Sequence, residues 1–185
     1  MKKSFLQFTM IIPLVFLLCF TFSCQKQVIE EVTDVITEEE AKVLLDHYME
    51  IMNEDNLDLV EEIFDPEFVL RSPFLPEPLV GIEAFKALAK NNAISFSDFN
   101  GTIEELTVKG DKIWSRFTMT GTNTGPLGDL PATGKKFRVT GLAVTHVANG
   151  KIVEDETFWN VLDMMQQLGF TLTPPQPPEP PEEKK

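Results

Sequence analysis

After Asn100 the hydrophobic period of this chain changes from near four to two, and that switch constrains the fold more than any other feature. Upstream, Thr37 followed by Glu40 has the spacing of a capping box, and Val43, Leu44, Tyr48, Ile51 and Met52 recur at helical intervals, which predicts a helix over 38–53. Asn56 is placed to cap a short second helix carrying Leu57, Val60, Ile63 and Phe64, ended by Asp65-Pro66. An extended stretch over 68–72 and a third helix over 82–92, entered at Gly81, follow. Downstream, 101–109, 112–122, 136–148 and 151–159 alternate as strands, with turns at Gly110-Asp111 and Asn149-Gly150. Asn-Gly between alternating runs is the strongest short hairpin signal, because both turn positions take positive φ. A closing helix over 161–168 stops at Gly169. Helices first and then an antiparallel meander is an α+β order, not an alternating βαβ one.

Charge and composition remove several functions. With 16 Lys+Arg against 29 Asp+Glu, a net charge of -13 and a pI near 4.5, the chain has no broad basic surface for nucleic acid or for an anionic membrane face. Two Cys and two His cannot build a zinc or iron-sulfur centre from Cys/His pairs; a carboxylate-only metal site stays open but has no motif here, and no cofactor is expected.

The two ends read differently from the middle. Met1-Lys2-Lys3, an apolar run from Phe5 to Phe22, and Ser23-Cys24 follow the order of an export signal, so 1–23 is set apart from the fold. An uncleaved anchor is the alternative, weakened by Gln7, Thr9 and Pro13. The positions before Cys24 resemble the lipobox of bacterial lipoproteins, with Ser23 as the small residue and Thr21 in place of the usual Leu. That resemblance implies a lipid on Cys24 and a place in the cell envelope. Residues 24–36 form a tether or a short helix, 37–173 the folded domain, and 174–185 a solvated tail holding six of the thirteen prolines.

Strand parity points to one face. In the third long strand Phe137, Val139, Gly141, Ala143, Thr145 and Val147 share a side that is small at its middle, and Gly141 marks a bend or a close approach. His146 falls on the opposite side with Leu142 and Val144. In the last strand Val153, Asp155, Thr157 and Trp159 share a side. With a plain two-residue turn Ala143 faces Glu156; with a bulge or a longer loop it faces Thr157, and parity alone leaves both open.

Several segments together resemble the SnoaL-like polyketide cyclase family: Gly121-Thr122-Asn123-Thr124-Gly125, Leu130 to Lys136, Asn149 to Glu154, and Met165 to Gly169, with Asn53 to Asp58, Pro66-Glu67-Phe68 and Gly81 to Phe85 upstream. The resemblance covers about 38–170 and implies the nuclear-transport-factor-2-like fold, a curved sheet wrapped with helices into a cone around a pocket, often as a homodimer. It also implies an acid/base Asp on the last strand, supported by a His on the strand before. Those places fall here on Thr157 and Ala143, neither of which can move a proton near neutral pH. Asp155, two residues from Thr157 on the same face, is either the substitute, with a pKa that an apolar pocket would raise, or a solvated carboxylate at the cavity mouth, the plainer of the two readings. Arg71 and Arg116 are expected to be pocket residues that orient a ligand, or else surface ion-pair partners; Trp114 and Trp159 stack on a flat ligand or pack in the core; His47 lies on a helix face or pocket rim. The leading expectation is a lipid-anchored domain that holds a small apolar or aromatic molecule without turnover. The alternative is an enzyme of the cyclase or isomerase kind acting on a small carbonyl compound with Asp155 as acid and base. A structural role in an envelope assembly is the third reading.

Overall fold

The computed structural model describes residues 35–173. The expected export signal, Cys24, most of the expected tether and the proline-rich tail lie outside them. Helix α1, Glu38–Glu54, starts at the capping box: the Thr37 hydroxyl accepts from the Glu40 amide at 3.2 Å while the Glu40 carboxylate accepts from the Thr37 amide at 2.9 Å. It stops at Asp55, whose φ of 57° leaves the helical region, and it buries Ala41, Leu45, Tyr48 and Ile51 along one stripe. Ile36, assigned to the tether by sequence, is buried in the core, and its amide donates to Gly110 O at 3.1 Å.

A 3-10 turn at Leu57–Leu59 and the one-turn α2, Val60–Ile63, stand where a second helix was expected. Asn56 does not cap it; its amide donates instead to Glu50 at 2.6 Å. Asp65-Pro66 does not end a helix either, because Phe64 has already begun strand β1, Phe64–Arg71. The sheet tolerates Pro66 because the register slips between Phe64 and Val69, so no ladder bond needs its missing N–H. β2, Leu79–Val80, is an edge strand that sequence did not suggest, and α3 runs Ile82–Ser95, one turn longer than expected.

The four long strands fall close to their expected limits: β3 Asn100–Lys109, β4 Lys112–Thr122, β5 Lys136–Ala148 and β6 Lys151–Trp159, followed by α4, Val161–Gln167. They form one six-stranded sheet ordered β2-β1-β6-β5-β4-β3. The meander is antiparallel as expected, but β1 runs parallel to β6, a pairing between segments far apart in the chain that no hairpin joins. Helices α1 and α3 cover the inner face. Phe64, Phe68 and Phe85 are fully buried there; Phe64 and Phe85 meet Tyr48 edge-on, with ring centroids 5.1 Å and 5.6 Å from it, and Phe68 packs on both of those rings. A second cluster, Phe96, Phe137, Val139, Met164 and Leu168, closes the other end under α4. Asn53 ties α1 to the start of β3, donating to Gly101 O at 3.0 Å and accepting from Gly101 N at 2.7 Å. Among the described residues no helix is long and apolar enough to cross a membrane.

Candidate functional site

The β5–β6 hairpin decides which side chains reach the interior. Asn149 (φ 52°) and Gly150 (φ 74°) make a two-residue turn, and Ala148 pairs with Lys151 and Val147 with Ile152. The register then slips by one, so that Val153 is the extra residue of a bulge and His146 pairs with Glu154. The consequence is local and large. Ile152 and Asp155, three residues apart, both turn inward and are 0% and 2% exposed, which an unbroken strand forbids. The slip also resolves the pairing left open by parity: Ala143 faces Thr157. Three inward rows cross the sheet, Ile113–Thr145–Asp155, Ser115–Ala143–Thr157 and Phe117–Gly141–Trp159.

Asp155 forms the floor of this interior. Thr145 Oγ1 donates to its Oδ1 at 2.6 Å, and the Tyr48 hydroxyl makes a longer 3.4 Å contact with Oδ2. Burial pushes the carboxyl up to about 6, against the downward pull of the Thr145 and Tyr48 hydrogen bonds. The same burial, with the Asp155 charge beside it, holds the Tyr48 phenol well above its ordinary value, so Tyr48 remains a neutral donor. Near pH 7 the Asp155 carboxylate is then the main form, yet its proton returns at little cost.

Above this floor the interior opens into three adjoining lobes. The inner lobe, about 100 Å³, is walled by Tyr48, Phe117, Ala143, Thr145, Asp155 and Thr157. A middle lobe of about 150 Å³ shares Tyr48, Phe117 and Thr157 with it and adds Leu70, Phe85 and Trp159. An outer lobe of about 240 Å³ lies toward α4, beside Phe96, Leu127 and Met164. Phe99 and Met119 line all three. Together they fall in the size range of small-molecule sites, about 300–1,000 Å³. No Lys, Arg or His lines any lobe, and Asp155 is the only carboxylate in them. Among the described residues no group of three or more His, Cys, Asp or Glu could hold a metal ion.

Of the residues singled out in the sequence, Asp155, Ala143 and Thr157 come together in the inner lobe, and Trp159 lines the other two, stacked on Phe74 at 6.2 Å. Arg71 and Arg116 do not join them. In β1 the inward positions are Phe68 and Leu70, so Arg71 faces out and pairs with Glu154. Arg116 lies between inward Ser115 and Phe117 and pairs with Glu105 at 3.2 Å. Trp114 is 49% exposed on the same outer face, where His146 Nδ1 stands 3.9 Å from Glu154. His47 is partly buried on α1 and lines no lobe. Sequence reasoning passed over Tyr48 and Thr145 as partners of Asp155. The signal was present: Tyr48 is the single tyrosine of the chain and sits on the apolar stripe of α1, and Thr145 shares the face of Ala143.

A family model for SnoaL-like polyketide cyclases matches residues 42–168, from the second turn of α1 to just past the end of α4. The chain belongs to that family. No curated protein matches it. Among solved structures, TsrD from Streptomyces laurentii is similar at 25% identity and a TM-score of 0.65, over 72% of this chain and 98% of that one. IdmH from Streptomyces antibioticus shares the fold at 24% identity and a TM-score of 0.60, over 70% and 98% of the two chains. So does a protein from Catenulispora acidiphila with a ketosteroid isomerase-like fold, solved with trimethylamine, at 14% identity and a TM-score of 0.61, over 71% and 97%. The SnoaL-like family and its α+β fold therefore agree with the element order read from the sequence.

Proposed function

We propose that this SnoaL-like domain is a proton-transfer enzyme of the cyclase and isomerase kind, acting on a small neutral carbonyl compound with Asp155 as acid and base. The observation that carries the reading is one carboxylate, enclosed at the floor of an otherwise uncharged cavity, with its pKa raised to about 6. Ionised Asp155 removes a proton from the carbon beside the carbonyl, and the C–H electrons move into the enolate with charge on oxygen. Protonated Asp155 then returns the proton to a second carbon, which isomerises the compound. In a cyclisation the enolate carbon bonds to another carbonyl carbon, and the new alkoxide takes the proton. Thr145 and Tyr48 hold the carboxylate in place, and a cavity without cations disfavours an anionic substrate. The relative position of Asp155 and Thr157 supports a catalytic carboxylate moved two residues along the strand, from the place the family resemblance implies.

The probe is 2-tetralone in deuterated buffer, followed by NMR. The protein is expected to speed exchange of the hydrogens beside the carbonyl, with a rate that rises through about pH 6 as Asp155 ionises, and Asp155→Asn is expected to abolish it. Exchange no faster than buffer, or undiminished in Asp155→Asn, refutes the reading. A binding role without turnover is the second reading, favoured by the fact that both Asp155 oxygens already have partners. We further propose that Cys24 carries a lipid that tethers the domain in the cell envelope, on the support of the Ser23-Cys24 signal. Cys24→Ser is expected to lose both a metabolically supplied alkyne fatty acid and membrane fractionation; a labelled Cys24→Ser protein refutes it.

A further inference from the structure

Among the described residues, two buried side-chain polar atoms have no hydrogen-bond partner: Asn92 Nδ2 and Thr118 Oγ1. Thr118 lines none of the three lobes, whereas Asn92 lines the middle and the outer one. A buried amide donor without an acceptor is costly, and native structures hold few without a reason. The backbone of Asn92 is satisfied, since its carbonyl accepts from Phe96 N at 2.9 Å near the end of α3. Only the side chain is unpaired. The residues that share both lobes with it are Phe74, Leu88, Phe99, Met119 and Trp159, and no side chain among them offers a strong acceptor. The Phe74 and Trp159 rings, 21° from parallel, add flat apolar walls.

We propose that Asn92 is a specificity-determining residue, whose side-chain amide donates to a neutral oxygen on the flat body of the ligand, away from the carbon that Asp155 serves. This rests on the reading of the cavity as a ligand site. It narrows the ligand to an uncharged, planar compound with two oxygens, the reacting carbonyl in the inner lobe and a second acceptor at the junction of the other two. A hydrocarbon of the same shape leaves the amide unpaired and is rejected on that account, which is how a polar site discriminates more strongly than an apolar one. A carboxylate in its place would find no cation and would face the Asp155 charge.

Fluorenone carries a carbonyl where fluorene of nearly the same flat shape has a methylene, and it has no hydrogen on a saturated carbon beside that carbonyl, so its binding is independent of proton transfer. The purified protein is expected to bind fluorenone at least about tenfold tighter than fluorene by calorimetry. Asn92→Leu should bring the ratio to near one, chiefly by weakening the ketone, while unliganded Asn92→Leu melts at or above the temperature of the unsubstituted protein because a buried unpaired donor is gone. Asp155→Asn should leave the preference in place. Equal affinities, a ratio unchanged in Asn92→Leu, or binding of neither compound overturns the proposal. A preserved preference without tetralone exchange refutes the catalytic reading alone, and exchange without the preference refutes the role of Asn92 alone.

Discussion

Replacing Asp155 by Asn isolates the cost of the buried carboxylate. The side chain keeps its shape, its oxygen still accepts from Thr145, and its amide donates to the Tyr48 oxygen, so both contacts of Asp155 have a counterpart. What changes is titration. The native state holds the Asp155 proton more tightly than the unfolded chain, because the folded pKa is about 6 against an ordinary 3.8. Stability is therefore full where both states are protonated, falls as pH rises between those two values, and levels off above the folded one. That interval is worth about 3 kcal/mol, and roughly 2 kcal/mol of it is lost between about pH 4 and about pH 7. The chain's many exposed carboxylates titrate too, so the quantity to read is the difference between the two proteins, from urea unfolding at each pH. At about pH 4 the two should differ by less than about 1 kcal/mol, and at about pH 7 Asp155→Asn should be the more stable by about 3 kcal/mol, near 10 °C in melting temperature for a domain of this size. Parallel pH profiles would refute the burial argument, and with it the raised pKa on which the proposed chemistry depends.

Three further outcomes follow from the packing. A Cβ at Gly141 would lie 2.5 Å from the Phe117 ring and 2.7 Å from Phe158 O, so Gly141→Val should lower stability by about 1–3 kcal/mol in chemical denaturation, and an unchanged midpoint would contradict that approach. The outer sheet face exposes Trp114, Leu142 and Phe158 and carries all three arginines, Arg71, Arg116 and Arg138, among Glu105, Glu154 and Glu156, a mixture that suits a second copy related by a two-fold axis. Sedimentation should give a dimer that Trp114→Glu with Phe158→Glu turns into a monomer; a monomeric unsubstituted protein at about 50 μM refutes the pairing. Thr37→Ala removes the side-chain half of the α1 capping box and should cost about 1 kcal/mol in the same unfolding assay, against no change if α1 were held by packing alone.

What the sequence disclosed and what it hid separate along one physical line. Period and turn chemistry are local, so α1, the four long strands, both turns and the closing helix were legible within a few residues. Pairing between distant segments is not local. Nothing in Phe64 to Arg71 states that this strand lies parallel to β6, and Pro66 argues against a strand until the register slip that spares its missing N–H is seen. The same slip in kind governs the site. Strand parity put Asp155 with Thr157 and Trp159 correctly, yet placed Ile152 on the opposite face, and only the bulge at Val153 brings both inward. Without it, continuing the Ile152 register would send Asp155 to the outer face beside His146 and the arginines, as a solvated carboxylate of ordinary pKa. One extra residue in one strand thus converts a surface acid into the only charge of an apolar cavity. Arg71 and Arg116 show the reverse case: residue type suggested a ligand clamp, but each lies between inward neighbours, and in a strand that geometry decides against a pocket role whatever the side chain could do. Deleting Val153 tests the whole chain of reasoning. It should restore an unbroken hairpin in which Ile152 and Asp155, now two positions apart, both keep their inward places. Retention of tetralone exchange and of a stability that falls between about pH 4 and about pH 7 is the expected result, and loss of both would mean that register alone does not place Asp155.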